Sequence, residues 1–157
     1  MIKSLEHQAS QRSVMQSMKP IRIMIVDNNI SVRLGVTTYL ESHADFELIA
    51  EASNGVEAIT RYIKEKPDLV LMDLFLPDSS GIEIMQTLQE VNDRVPVIFL
   101  ATSNGSHLSE AVMAAGAACM VNKDVNGQVL ASSIREAMNE IDYGSAWVRS
   151  STEDIDK

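Results

Sequence analysis

The sequence predicts an α/β protein: a doubly wound, five-stranded parallel sheet with helices on both faces. Two observations lead there. From Pro20 onward, short runs rich in β-branched and other apolar residues alternate strictly with longer stretches whose apolar residues recur at helical spacing. The short runs are also nearly continuous in apolar residues, the pattern of strands covered on both faces, and parallel strands joined by right-handed helical crossovers are covered in this way. With 157 residues, 45% hydrophobic and 22% charged, the chain fits one globular domain of roughly 100 to 200 residues.

The first predicted strand is 21–26, followed by a helix over 31–41 with Val32, Val36, Tyr39 and Leu40 on one side. Strand 46–50 leads into helix 55–65, which carries Val56, Ile59 and Ile63, and strand 69–72 into helix 81–91, which carries Ile82, Met85 and Leu88. Strand 97–101, helix 108–115, strand 117–121 and helix 125–141, with Val129, Ile134, Met138 and Ile141, complete five strands and five helices. Residues 1–19, rich in Ser and Gln and poor in apolar periodicity, predict a flexible leader. The folded domain is expected over 20–141. Residues 142–157, ending in Glu153, Asp154 and Asp156, predict a C-terminal tail too short for a helix-turn-helix module.

Composition excludes several function classes. Thirteen Lys and Arg against 22 Asp and Glu give a net charge of −9, which disfavours direct nucleic-acid binding by a basic surface. No stretch approaches about 20 uninterrupted apolar residues, and the first residues lack the apolar core of a secretory signal. A cytoplasmic protein with no membrane association is expected. Cys119 is the only cysteine, and His7, His43 and His107 fit no zinc spacing. Cys119 reads as a small buried hydrophobe, His43 and His107 as solvated, and Asn54-Gly55 and Asn104-Gly105 as helix-entry turns. After the first strand, Asp27-Asn28-Asn29-Ile30-Ser31 offers no phosphate loop, which argues against a mononucleotide-binding enzyme.

In an open parallel sheet the ligand site lies at the carboxyl ends of the strands. The first strand ends at Asp27 and the third at Asp73, and in the order 2-1-3-4-5 these strands are neighbours, so the two carboxylates converge. Such a pair with nearby amide or carbonyl oxygens suits a hard cation such as Mg²⁺. The fifth strand runs into Lys123, whose ammonium can offset the charge of a phosphoryl group in the same pocket.

Taken in order, IMIVDNN, EASNGVEAI, PDLVLMDLFLPDSSGIEIM, VPVIFLA and AVMAAGAACMVNKD resemble a bacterial response-regulator receiver domain over residues 22–140. The likeness is to the CheY-like, flavodoxin-like (βα)5 fold, in particular to receivers of LuxR/NarL-type regulators. It implies that Asp73 accepts a phosphoryl group from a histidine kinase or phosphotransfer protein, forming an acyl phosphate. Asp27, Asn28, Asp73 and the main-chain carbonyl of Phe75 would hold Mg²⁺, Lys123 would contact the phosphoryl oxygens, and Pro77 and Gly81 would shape the loop over the site. A domain of this kind signals to a downstream protein target and is no enzyme beyond its own phosphorylation and dephosphorylation. Homodimerisation is an expectation that rests on the resemblance alone.

Three positions depart from the family pattern. Asn28 stands where a second acid is usual, which keeps an oxygen but removes a charge and weakens Mg²⁺ binding. Ala101 stands where a Thr or Ser hydroxyl is usual, and Met120 where an aromatic switch residue is usual. Thr102 has the wrong side-chain parity to replace that hydroxyl, and Ser103 lies about 6 to 7 Å further along. The sequence therefore predicts an atypical receiver in a two-component phosphorelay. The alternative is a phosphate-independent pseudo-receiver acting as an adaptor or dimerisation module.

Overall fold

The computed structural model describes residues 19–124 and 127–140. The predicted leader, Lys19 apart, and the predicted tail 142–157 lie outside the described residues. Strands β1 (Ile21–Val26), β2 (Phe46–Ala52), β3 (Leu69–Asp73), β4 (Val97–Ala101) and β5 (Cys119–Asn122) form one parallel sheet in the order β2-β1-β3-β4-β5. The crossovers carry α1 (Ile30–Glu41), α2 (Gly55–Glu65), α3 (Gly81–Val91) and α4 (Ser109–Ala115), and α5 covers residues 127–140. The predicted doubly wound α/β fold is the observed one.

Period-two alternation divides the core between the two faces of the sheet. Ile23, Ile25, Leu69, Leu71, Ile98, Leu100 and Val121 pack with Leu40 of α1 and with Leu130, Ala131, Ile134 and Ala137 of α5. Met24, Val26, Val70, Met72, Val97 and Phe99 face the other way, against Ala58 and Tyr62 of α2, Ile84, Met85 and Leu88 of α3, and Val112 of α4. Two helices thus cover one face and three the other.

The helices start where side-chain oxygens meet free N–H groups. Asn29 accepts from Ser31 and Val32 at the head of α1, Asn54 from Glu57 at α2, and Ser80 from Glu83 at α3. Glu57 reaches back to accept from both the amide and the hydroxyl of Ser53, at 2.9 and 3.0 Å. Two ends use the left-handed region: Gly116 stops α4 at φ 114°, and Lys66 stops α2 at φ 50°.

Several boundaries differ from the sequence reading. β2 runs on to Ala52 because Met24, Ile25 and Val26 continue to pair with Ala50, Glu51 and Ala52 beyond an irregularity after Ile23. β5 starts at Cys119 and not at 117, since the Ala117 amide still donates to Val112 O of α4 at 3.0 Å. α4 is shorter than 108–115 and is preceded by a 3₁₀ turn over Ser103–Leu108, which contains Asn104-Gly105. His43, expected in solvent, is half-buried. Its ring lies between Tyr39 and Phe46, at centroid distances of 4.7 and 5.6 Å, and Nδ1 is 3.0 Å from Tyr39 O. Cys119 is half-buried, and burial pushes its thiol pKa up, as befits an inert packing residue. Among the described residues no helix is long and apolar enough to cross a membrane.

Candidate functional site

The register of the central strands builds the site. β1 and β3 pair as far as Val26 opposite Met72, so the next residues, Asp27 and Asp73, stand side by side at the carboxyl edge. β4 ends at Ala101, whose carbonyl accepts from the Lys123 amide at 2.8 Å, placing the lysine at the same edge. By parity Asp27, Asp73 and Lys123 belong to the face of Ile25, Leu71 and Val121, the α1/α5 side.

The three side chains meet. Lys123 Nζ lies 2.7 Å from Asp27 Oδ2 and 3.1 Å from Asp73 Oδ2. Burial alone would lower the lysine pKa, but hydrogen bonding and Coulomb attraction from both carboxylates outweigh it, and the net shift is upward. The ammonium is therefore fixed as a cation between two acids.

Asp27 is fully buried, the one buried charged residue among those described. Its Oδ1 accepts from the Asn29 amide at 2.8 Å, and its carbonyl accepts from Arg33 Nη1 at 2.6 Å. Arg33 in turn lies 3.4 Å from Glu51 Oε1, so the turn after β1 is tied to α1 and to β2. Asp27 Oδ2 faces the Lys123 ammonium at 2.7 Å and has no other polar partner among the described residues. A buried carboxylate oxygen with a single cationic neighbour keeps a lone pair free for an oxygen-ligated metal ion.

Asp73 is half-buried at the mouth, with Oδ1 3.3 Å from the Phe75 amide. Asn28 is exposed beside Asp27, and the Phe75 ring is 62% exposed. The loop after Asp73 is closed by Gly81 N donating to Leu74 O at 2.8 Å and Leu76 N to Ser79 O at 3.1 Å. A Cβ on Gly81 would overlap Asp73 O and press on Phe99, which is why this position takes glycine.

The positions that depart from the family lie elsewhere. Ala101 is buried at the end of β4, where a Cβ placed on Gly105 would be 3.3 Å from its own. Met120 pairs with Phe99 and packs, half-buried, on the α2–α4 side. Thr102 is exposed, and the side chain of Ser103 lies outside the described residues.

Sequence reasoning missed two residues that hold the site. Arg33 is one. Asp78 is the other: its carboxylate accepts from the amides of Gly55 at 2.8 Å and Val56 at 3.1 Å, fastening the loop after β3 to the head of α2. The Gly55 donation is the first cause of a pKa below the usual carboxylate range. A free acid in a loop and a helix opening on Asn-Gly were visible in the sequence, but the 23-residue separation was not bridged by any local pattern.

The geometry suits an oxygen-ligated divalent cation. Among the described residues no three His, Cys, Asp or Glu side chains cluster for a metal, so the carboxylate share is Asp27 and Asp73. Mg²⁺ commonly takes one or two carboxylates and keeps several waters.

The response regulator receiver domain family matches residues 23–135, well over half of the chain. The chain belongs to the response-regulator receiver family. It is 34% identical over 109 residues to the transcriptional regulatory protein YdfI of Bacillus subtilis (strain 168), covering 69% of this chain and 51% of that protein. A LuxR-family two-component response regulator from Aurantimonas sp. SI85-9A1 superposes with a TM-score of 0.70 at 30% identity, covering 75% of this chain and 84% of that one. CheY6 of R. sphaeroides, solved in complex with the P1 domain of CheA3, superposes with a TM-score of 0.69 at 27% identity, covering 78% and 99%. The chain spans about half the length of the curated relatives it matches. It is a receiver domain of two-component signalling, and receivers are signalling domains that bind Mg²⁺ at an acidic pocket and act with kinases, phosphotransfer proteins and downstream targets.

Proposed function

We propose that this receiver, folded over residues 20–141, accepts a phosphoryl group on Asp73 from a phosphohistidine of a histidine kinase or phosphotransfer protein. The observation that carries it is the Lys123 ammonium held within 3.1 Å of both Asp27 and Asp73 at the carboxyl edge of the sheet. An Asp73 carboxylate oxygen forms the new O–P bond as the donor's P–N bond breaks, and the electron pair leaves with the imidazole nitrogen. Lys123 then exchanges part of its contact with Asp73 for the phosphoryl oxygens. Asp27, Asp73, Asn28 and the Phe75 carbonyl would hold Mg²⁺, which supplies neutralisation of the phosphoryl charge. Asn28 lowers that affinity by removing one negative charge. The partner class is supported by the likeness to CheY6, whose structure holds a CheA3 P1 domain. Homodimerisation and a downstream protein target complete the expected partners.

Ala101 and Met120 favour a second reading for the output. With no hydroxyl at the end of β4 and no ring on β5, the phosphoryl group lacks those two differential contacts through which to shift a conformational equilibrium. A phosphate-independent adaptor or dimerisation module would have this appearance. Incubation with Mg²⁺ and acetyl phosphate, read by intact mass, separates the two. The expected result is one phosphoryl adduct, absent from Asp73→Ala. No adduct, with a cognate kinase as well, would establish the pseudo-receiver.

A further inference from the structure

At the end of the sheet opposite the acidic site, a crevice of about 520 Å³ opens between the C-terminal ends of α2 and α3 and the last turn of α5. Tyr62 and Val95 form its buried floor, and Met138 lines it from α5. Ile63 and Val91 also line it and are 54% and 60% exposed, an unusual state for two neighbouring branched apolar side chains. Lys66 and Arg94 line it as well, and neither has a carboxylate within 4.0 Å among the described residues. The acid in the lining, Asp68, accepts from the Arg22 amide at 2.9 Å.

We infer that this crevice is the docking site of the chain's own C-terminal segment, residues 141–157, with Trp147 seated against Ile63, Val91 and Met138. Three observations select this occupant. Met138 lies two residues before the last described residue, Glu140, so the segment leaves α5 at the rim of the crevice. Trp147 follows Glu140 by seven residues, which span at most about 25 Å when extended, and the volume is that of a pocket able to enclose an indole and its neighbours. The acids Glu153, Asp154 and Asp156 follow Trp147 and complement the charges of Lys66 and Arg94. Trp is well suited to such an anchor, since it buries a large apolar area with its N–H left to find an acceptor. The contact is independent of phosphoryl transfer, because it lies at the other end of every strand.

Trp147 is the only tryptophan, so intrinsic fluorescence of the full chain reads this contact alone. The expected result is a blue-shifted emission, with acrylamide quenching that rises about twofold in Val91→Asp and in Arg94→Glu as the indole is released to water. Leu34→Asp, an equally exposed apolar position on α1, should leave both readings unchanged, and far-UV circular dichroism should show all three variants folded. Emission of a fully exposed indole in the parent chain overturns the inference, as does a shielded indole indifferent to both crevice variants. A blue shift that disappears on dilution also overturns it, assigning the crevice to a second copy of the chain.

Discussion

The two faces of the sheet have been treated differently. On the α1/α5 side, the strands end in Asp27, Asp73 and Lys123, an interlocked set of two carboxylates and an ammonium within 3.1 Å. On the α2–α4 side, the positions that depart from the family pattern are Ala101, packed beside Gly105, and Met120, packed beside Phe99. One side carries the polar groups that the proposed phosphoryl acceptance calls for, and the other carries aliphatic side chains at those two positions. On the proposed reading, acceptance and read-out would depend on separate side chains, so that the first could be retained while the second changes.

The largest expected effect comes from breaking the polar side. Lys123→Met would leave the fully buried Asp27 facing Asp73 without a cation, and removing one partner of a buried ion pair costs about 3 kcal/mol. Urea unfolding would show this. Millimolar Mg²⁺ should return part of the lost stability, because a divalent cation can replace the ammonium between the carboxylates. A variant as stable as the parent would mean that the ion pair contributes little and that the contrast between the faces is overstated.

Gly81→Ala is next, at about 2 kcal/mol, because a Cβ there meets the Asp73 carbonyl on one side and Phe99 on the other, and backbone cannot give way cheaply. This position touches both faces, so it should impair adduct formation as well as stability. Asn28→Asp sharpens the contrast without touching the core. Restoring a carboxylate beside Asp27 should tighten Mg²⁺ binding about tenfold, equivalent to about 1.4 kcal/mol, as measured by calorimetric titration. An unchanged affinity would show that Asn28 lies outside the ligand set.

How much of this could be read from the chain depends on how local each cause is. Continuous apolar runs such as Ile21 to Val26 and Val97 to Ala101 announced buried parallel strands, and an acid directly after such a run announced the edge where a ligand sits. The supports of that edge were not legible. Arg33 reaches the Asp27 carbonyl by a helical turn and Glu51 from another strand, and Asp78 caps a helix that begins 23 residues earlier. Such contacts arise only when the crossovers close. His43 was misjudged for the same reason, since its shielding comes from Phe46 and Tyr39 together and not from its own neighbourhood in the pattern. Periodicity also misplaces the face of α2, where Val56 and Ile63 stay 68% and 54% exposed while Ala58 and Tyr62 are buried.

The smallest effect tests whether the polar side extends beyond its three residues. Asp45, just before β2, accepts from Arg135 of α5 at 2.8 and 3.2 Å, and the same guanidinium lies 4.9 Å above the Phe46 ring. The pair is close to half exposed, so solvent screens it and Asp45→Asn should cost less than about 1 kcal/mol. The Arg135 hydrogen bond is the first cause holding the Asp45 carboxyl below the ordinary aspartate value. A carboxyl with a depressed folded pKa stabilises the fold fully above its unfolded value, near pH 4, and loses that contribution as pH falls through the folded value beneath it. The difference in urea midpoint between parent and Asp45→Asn should therefore be flat around neutral pH and vanish in acid. Adduct formation on Asp73 should be the same in both chains, since Asp45 precedes β2 and so lies at the opposite end of the sheet from Asp27 and Asp73. A slower adduct in Asp45→Asn would mean that the docking of α5 through Arg135 helps to set the position of Lys123, and the polar side would then run the full length of that helix.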